Sequence, residues 1–196
     1  MADINVKKVI VSPYRRCLQT ATVIFKDHKN KPPLIVVPEY REIFEGGGEI
    51  PLNYKDLEKQ FPNADLSAMY KYDPDKWLFE TFVNTQNRDY IISELEKKLG
   101  TKDWHKKENY RKELGQVMKE YWPKLFESGF DCIERIKKGK EITKEILKTV
   151  KEGEEVAIVA HYGIITRFLA KEFNKEGEAV GVPFIDNCQI EKTVVE

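Results

Sequence analysis

The sequence has 196 residues, of which 41% are hydrophobic, and its 33 Lys and Arg are balanced by 33 Asp and Glu. This length and apolar content predict one globular domain over 1–196 and exclude a chain that is disordered by composition. The zero net charge gives no electrostatic reason to expect a nucleic-acid or membrane partner. No apolar run reaches the roughly 20 residues that cross a bilayer, and no signal peptide is evident, so we expect a cytoplasmic protein.

The three cysteines indicate neither a disulfide framework nor a metal site. Cys17, Cys132 and Cys188 are far apart, form no C-x-x-C pair and lack metal-ligand spacing. This usage is typical of reduced thiols in the cytoplasm. We therefore expect no metal.

The chain begins with the pattern of a strand, a tight turn and a helix. Residues 6–12 (VKKVIVS) are short and β-branched, which predicts a buried strand that Pro13 ends. Proline is tolerated in the first turn of a helix, and apolar residues at helical spacing follow it. A second buried strand is predicted at 34–37 (LIVV).

The section at about 45–125 predicts a helical insertion or lid within the domain. It opens with a glycine run at 46–48, which indicates a loop, and it is rich in aromatic and charged residues. Helical patches are predicted near 53–60, 88–99 and 106–121.

The last third predicts a helix, a strand, a helix and a strand. An amphipathic helix is expected at 131–150, a buried strand at 155–160 with a helix after it, and an exposed strand at 188–195. Apolar strands that alternate with helices indicate the α/β class, with a three-layer α/β/α sandwich and a mainly parallel sheet.

Polar residues follow the carboxyl ends of three of these strands, where α/β sheets bind ligands. The clusters are 12–16 (SPYRR), 39–42 (EYRE) and 161–163 (HYG). An arginine at a helix N-terminus binds phosphate through paired charge-assisted hydrogen bonds, and a histidine adds a donor near neutral pH. A carboxyl group that is protonated among phosphate oxygens can give its proton to a leaving alkoxide. Taken alone, these features predict an anion-binding α/β domain.

Three motifs resemble those of the histidine phosphatases, the phosphoglycerate mutase-like superfamily. Residues 12–21 (SPYRRCLQTA) resemble the family's S-P-x-x-R-[AC]-x-Q-T-A, residues 39–43 (EYREI) its L-x-E-[IW], and residues 158–167 (IVAHYGIITR) its V-x-H-G-G-x-I-R. Glu127-Ser128 and Arg135 are similar to its E-S-x(n)-R helix. The resemblance implies a phosphoglycerate mutase-like fold.

Roles for three residues follow from this resemblance. Arg16 corresponds to the phosphate-binding arginine, His161 to the second active-site histidine, which also binds phosphate, and Glu42 to the catalytic proton donor. Tyr162 stands where the family has glycine, and Tyr40 where it has leucine. The chemistry implied needs no cofactor.

The chain departs from the family at its start. The family's nucleophilic histidine lies in an R-H-G motif some tens of residues before the S-P motif, whereas eleven residues precede Ser12. We therefore expect an N-terminally truncated member with no nucleophile. In the family the missing strand lies beside the one predicted at 155–160, so we expect an open sheet edge there, or a C-terminal strand moved inward.

Three functions remain open. The first is a phosphomonoester hydrolase of the phosphohistidine type, present without its nucleophile strand. The second is a non-catalytic pseudophosphatase that binds phosphate or a partner, and the third is a phosphoglycerate mutase or sugar-bisphosphatase. The expected partner is a phosphorylated small molecule or a phosphoprotein, and nothing in the sequence sets an oligomeric state.

Overall fold

Strands alternate with helices along the parts of the chain that the computed structural model describes, which are residues 4–44, 51–83, 85–107, 110–120, 127–187 and 189–195. The strands are β1 (Val6–Val11), β2 (Leu34–Val36), β3 (Ala64–Asp65), β4 (Glu155–Val159), β5 (Glu172–Phe173) and β6 (Ala179–Val180). The helices are α1 (Arg15–Phe25), α2 (Tyr54–Gln60), α3 (Trp77–Glu80), α4 (Thr85–Leu99), α5 (Tyr110–Glu120), α6 (Gly129–Leu147) and α7 (Tyr162–Leu169).

Four strands form one parallel sheet in the order β3-β2-β1-β4. β1 lies inside it, with Ile10 opposite both Ile35 of β2 and Ile158 of β4. Parallel neighbours need crossover connections, and α1 supplies the one between β1 and β2. The predicted α/β class and parallel sheet are thus confirmed.

Helices cover both faces of this sheet, each with its own hydrophobic cluster. Val9 of β1 packs on one face with Leu18 of α1. Ile10 packs on the other face with Ile136 of α6 and Phe168 of α7. Successive side chains of a strand point to opposite faces, so one apolar strand serves both clusters. This layering is compatible with a three-layer sandwich.

Helices occur in the middle section where the sequence predicts them. α2 lies within 53–60, α4 covers 88–99, and α5 lies within 106–121. The glycine loop at 46–48, together with the rest of 45–50, lies outside the described residues, as does 121–126.

The middle section is part of the main core and adds a strand to the sheet. Leu57, Trp77 and Leu95 belong to the cluster that contains Val9. β3 pairs in parallel with β2, although only helices were predicted there. A two-residue strand is too short to produce an alternating pattern, so the sequence does not reveal it.

The strand predicted at 188–195 is wrong for the part that the structure describes. Residues 189–195 are irregular, and Cys188 lies outside the described residues. Lys192 contacts Glu155 at the start of β4 with an Nζ–Oε1 distance of 2.6 Å. Of these seven side chains, only that of Val195 packs against the core, while Ile190 and Val194 are exposed, so the fold offers the segment no surface on which to bury a strand. The short strands β5 and β6 form a separate antiparallel pair that was not predicted.

β4 lies at one edge of the sheet formed by the described residues, with β1 as its neighbour. Its side chains nevertheless pack on both faces, Ala157 and Val159 against one cluster and Val156 and Ile158 against the other. Apolar residues on both faces are typical of an interior strand. Of the two expected arrangements, the open edge is therefore the one found in the described part of the chain.

Two further expectations concern membrane helices and thiols. Within the described ranges, no helix has the length and apolar composition needed to cross a membrane. Cys17 and Cys132 are free and buried.

Candidate functional site

Arg16, Glu42 and His161 lie together at the carboxyl edge of the sheet. They follow β1, β2 and β4, which are adjacent, so their positions converge. Arg16 Nη2 is 3.0 Å from His161 Nδ1 and 3.4 Å from Glu42 Oε2. Glu42 Oε2 is 3.2 Å from the same Nδ1. The structure therefore brings together the three residues that the motifs single out.

Buried side chains form the floor of this site. Ser12 and Cys17 are 0% and 4% exposed, and His161 is 6% exposed. His161 Nε2 lies 2.8 Å from Ser12 Oγ and 3.5 Å from Cys17 Sγ. The Arg16 side chain is half exposed, so the site is closed below and open on the Arg16 side.

The His161 ring is neutral at physiological pH. Burial and then the Arg16 and Arg135 guanidiniums lower its pKa to about 3. A guanidinium can only donate, so the contact with Arg16 Nε makes Nδ1 an acceptor and assigns the ring proton to Nε2, next to Ser12 Oγ, whereas the Glu42 oxygen 3.2 Å from Nδ1 favours the opposite tautomer. This differs from the expectation of an additional cationic donor, because neither the burial nor the Arg16 contact can be read from the sequence.

The lowered pKa predicts how stability changes with pH. Between about pH 6.5 and 3 the unfolded chain binds a proton at residue 161 that the folded chain excludes, so stability falls as pH falls. From pH 6.5 to 5 the wild type should lose about 1–2 kcal/mol more free energy of unfolding than His161→Gln. Urea unfolding of both proteins over this range measures the difference. Parallel pH profiles would contradict a buried neutral ring.

Tyr14 packs against the site and was not singled out from the sequence. Its ring contacts the His161 ring edge-to-face with centroids 5.0 Å apart, and the Arg16 guanidinium lies 4.9 Å from its centroid. Tyr14 is 4% exposed, and burial raises the pKa of its hydroxyl. Tyr14 is therefore uncharged, and its ring packs against His161 and Arg16 and helps to orient both side chains.

A buried ion cluster lies behind Glu42. Glu127 accepts from Arg41 at 2.9 Å through both carboxylate oxygens and from Arg135 at 2.6 and 2.7 Å. All three side chains are at most 2% exposed. Burial alone raises the pKa of Glu127, but the two guanidiniums lower it to about 2. The carboxylate is therefore ionised between two fixed cations.

The same cluster holds the backbone that carries Glu42. Arg135 Nη1 donates to the carbonyls of Glu39 and Arg41 at 2.6 and 2.9 Å, and Arg41 Nη1 donates to the Glu42 carbonyl at 2.9 Å. The resemblance includes Glu127 and Arg135, whereas Arg41 lies in a charged run that looks solvent-exposed in the sequence. Only the fold reveals that Arg41 is buried and fixes this segment.

Tyr40 attaches the same segment to α6. Its hydroxyl is 2.7 Å from Thr143 Oγ1, and both residues are buried. A Cβ at position 139 would lie 2.7 Å from Tyr40 Cε1, so the close approach requires Gly139. Tyr40 thus makes a buried hydrogen bond to the neighbouring helix.

The cysteine at the site is not an activated nucleophile. Burial raises the pKa of the Cys17 thiol to about 12, so this cysteine is a thiol at neutral pH. His28 is buried away from the site; its Nε2 lies 2.9 Å from the Ile4 carbonyl, and its Nδ1 accepts from Asn30 N. The side chain of His105 is outside the described part.

No group of three or more His, Cys, Asp or Glu in the described part of the chain is placed to hold a metal ion. No protein-family model, curated protein or solved structure matches the chain.

Proposed function

We propose that this site binds the phosphate group of a phosphomonoester. We further propose that the chain has the phosphoglycerate mutase-like fold and is the phosphate-binding and proton-donating part of a phosphohistidine-type hydrolase. The observation that carries the proposal is the convergence of Arg16, Glu42 and His161, from three distant segments, within 3.4 Å at adjacent strand ends.

The contacts of Arg16 support phosphate binding. Its guanidinium is held by groups that an anion can replace, namely His161 Nδ1 at 3.0 Å and Glu42 Oε2 at 3.4 Å. A phosphate that takes over these donors gains charge-assisted hydrogen bonds. It also adds negative charge beside His161, which favours protonation of Nδ1 and turns this acceptor into a donor. Phosphate binding is thus coupled to proton uptake by the ring.

The contacts of Glu42 support its role as the acid. Its Oε1 accepts from Ile43 N at 2.9 Å, which fixes the carboxyl group and leaves Oε2 directed to Arg16 and His161. In the reaction that the resemblance implies, a histidine nitrogen attacks phosphorus while the ester oxygen leaves with a proton. Water then cleaves the phosphohistidine and releases phosphate. Glu42 supplies the proton to the leaving oxygen, and Arg16 stabilises the phosphoryl charge.

A non-catalytic phosphate-binding role is the second candidate, and one observation favours it. The raised pKa of Cys17 leaves the nearest thiol unreactive. The two candidates share the phosphate site and differ in turnover.

Turnover is tested with p-nitrophenyl phosphate between about pH 5 and 8. The chain of this sequence should show no hydrolysis above buffer, because loss of a covalent nucleophile costs several orders of magnitude in rate. Wild type and Arg16→Ala should therefore be indistinguishable in this assay. Turnover that disappears in Arg16→Ala would show that another residue of the chain acts as nucleophile, and it would exclude the non-catalytic role.

A further inference from the structure

An exposed aromatic pair includes Tyr162, the residue that follows His161 in the chain. Tyr162, the first residue of α7, is 54% exposed, and Phe184 is 73% exposed. Their ring centroids are 5.7 Å apart with an interplanar angle of 44°. The outer faces of the two rings are apolar surface exposed to water, and a ligand can bind by covering this surface.

The backbone on both sides holds this pair in place. Ile185, which follows Phe184, is buried at 7% exposure, and Pro183 before it restricts the backbone. Tyr162 directly follows the buried His161, and its carbonyl accepts from Thr166 Oγ1 at 3.0 Å. The two rings are thus mounted on anchored segments, a preorganised arrangement that binds at low entropic cost.

The orientation of a bound phosphate ester follows from burial around the site. Ser12, Cys17 and His161 form a buried floor, whereas Arg16 and Tyr162 are exposed. The buried floor closes the site below, so the substituent of a bound phosphate ester must leave through the open rim. Tyr162 is exposed and directly follows His161 at the start of α7, so its backbone lies at the same sheet edge as the site.

We infer that Tyr162 and Phe184 form a subsite for a flat aromatic group carried by the phosphate ester. This inference rests on the proposed phosphate site, and it selects aryl phosphomonoesters over aliphatic ones. The chemistry is stacking of the substituent on the two rings, with the phosphate at Arg16 and His161. The motif that this segment resembles has glycine at position 162, which would remove one of the two rings. We therefore assign the preference for aryl esters to a position at which this chain departs from that motif.

Titration calorimetry with two non-hydrolysable probes tests the subsite. Methylphosphonate reports the phosphate site alone, and phenylphosphonate adds the aromatic ring. Wild type should bind phenylphosphonate about threefold to tenfold more tightly than methylphosphonate. Tyr162→Ala and Phe184→Ala should each remove most of this preference and leave methylphosphonate affinity within about twofold. Phe130→Ala, at a phenylalanine that is 53% exposed at the start of α6, is the matched control and should keep the preference.

The outcomes separate this inference from the proposed function. Binding of both probes with equal affinity, or a phenyl preference that survives Tyr162→Ala and Phe184→Ala, would overturn the aromatic subsite while the phosphate site stands. Failure of wild type to bind either probe would overturn the phosphate site and the subsite with it.

Discussion

Replacing Glu127 by alanine is expected to lower the free energy of unfolding by about 3–5 kcal/mol. The substitution leaves Arg41 and Arg135 facing each other in the core without their shared carboxylate. An unpaired buried charge costs far more than the pair itself contributes. Because domains of this kind are stable by only about 5–15 kcal/mol, the variant should unfold at much lower urea concentration.

Glu134→Ala on the same helix is the matched control. Glu134 pairs with Lys137 at 2.6 Å, but both side chains are more than half exposed. Exposed pairs contribute about 0–1 kcal/mol, so this variant should unfold close to the wild type. Urea denaturation of all three proteins at neutral pH measures both effects. A loss below about 1 kcal/mol for Glu127→Ala would contradict the buried cluster.

The sheet was largely predictable where strands are apolar runs with clear ends. β1, β2 and β4 are such runs, and each was placed to within a residue. β3 pairs over only two residues, which is too short for any periodic signal. The predicted strand at 188–195 failed for the opposite reason, since its composition permits a strand but the fold offers it no face to bury.

The site was predictable in its members and unpredictable in its electrostatics. Arg16, Glu42 and His161 follow from motifs at strand ends. The neutral state of His161 depends on burial and on contact with Arg16, which lies 145 residues away in the chain. The role of Arg41 depends on burial that its charged neighbours in the sequence conceal. Long-range packing sets these properties, and local patterns do not encode it.

Arg16→Ala is expected to weaken anion binding by about tenfold to a hundredfold. It removes a paired donor, and hydrogen bonds to charged groups contribute about 1.5–3 kcal/mol. The remaining described donors at the site, His161 and Ser12, are hydrogen-bonded to each other at 2.8 Å. They are therefore poorly placed to compensate for a lost guanidinium.

Arg15→Ala supplies a control with the same change in charge. Arg15 is the preceding residue of α1 and is exposed. Its removal alters the long-range potential equally but leaves the Arg16 contacts intact. At about 0.15 M ionic strength, long-range electrostatic interactions are largely screened. The anion affinity of Arg15→Ala should therefore differ from that of the wild type by less than about twofold.

Calorimetric titration of wild type, Arg15→Ala and Arg16→Ala with tungstate at neutral pH tests the phosphate site most directly. One site with similar affinity in wild type and Arg15→Ala, and affinity at least tenfold weaker in Arg16→Ala, is the result that the site predicts. Equal affinity in wild type and Arg16→Ala would contradict it.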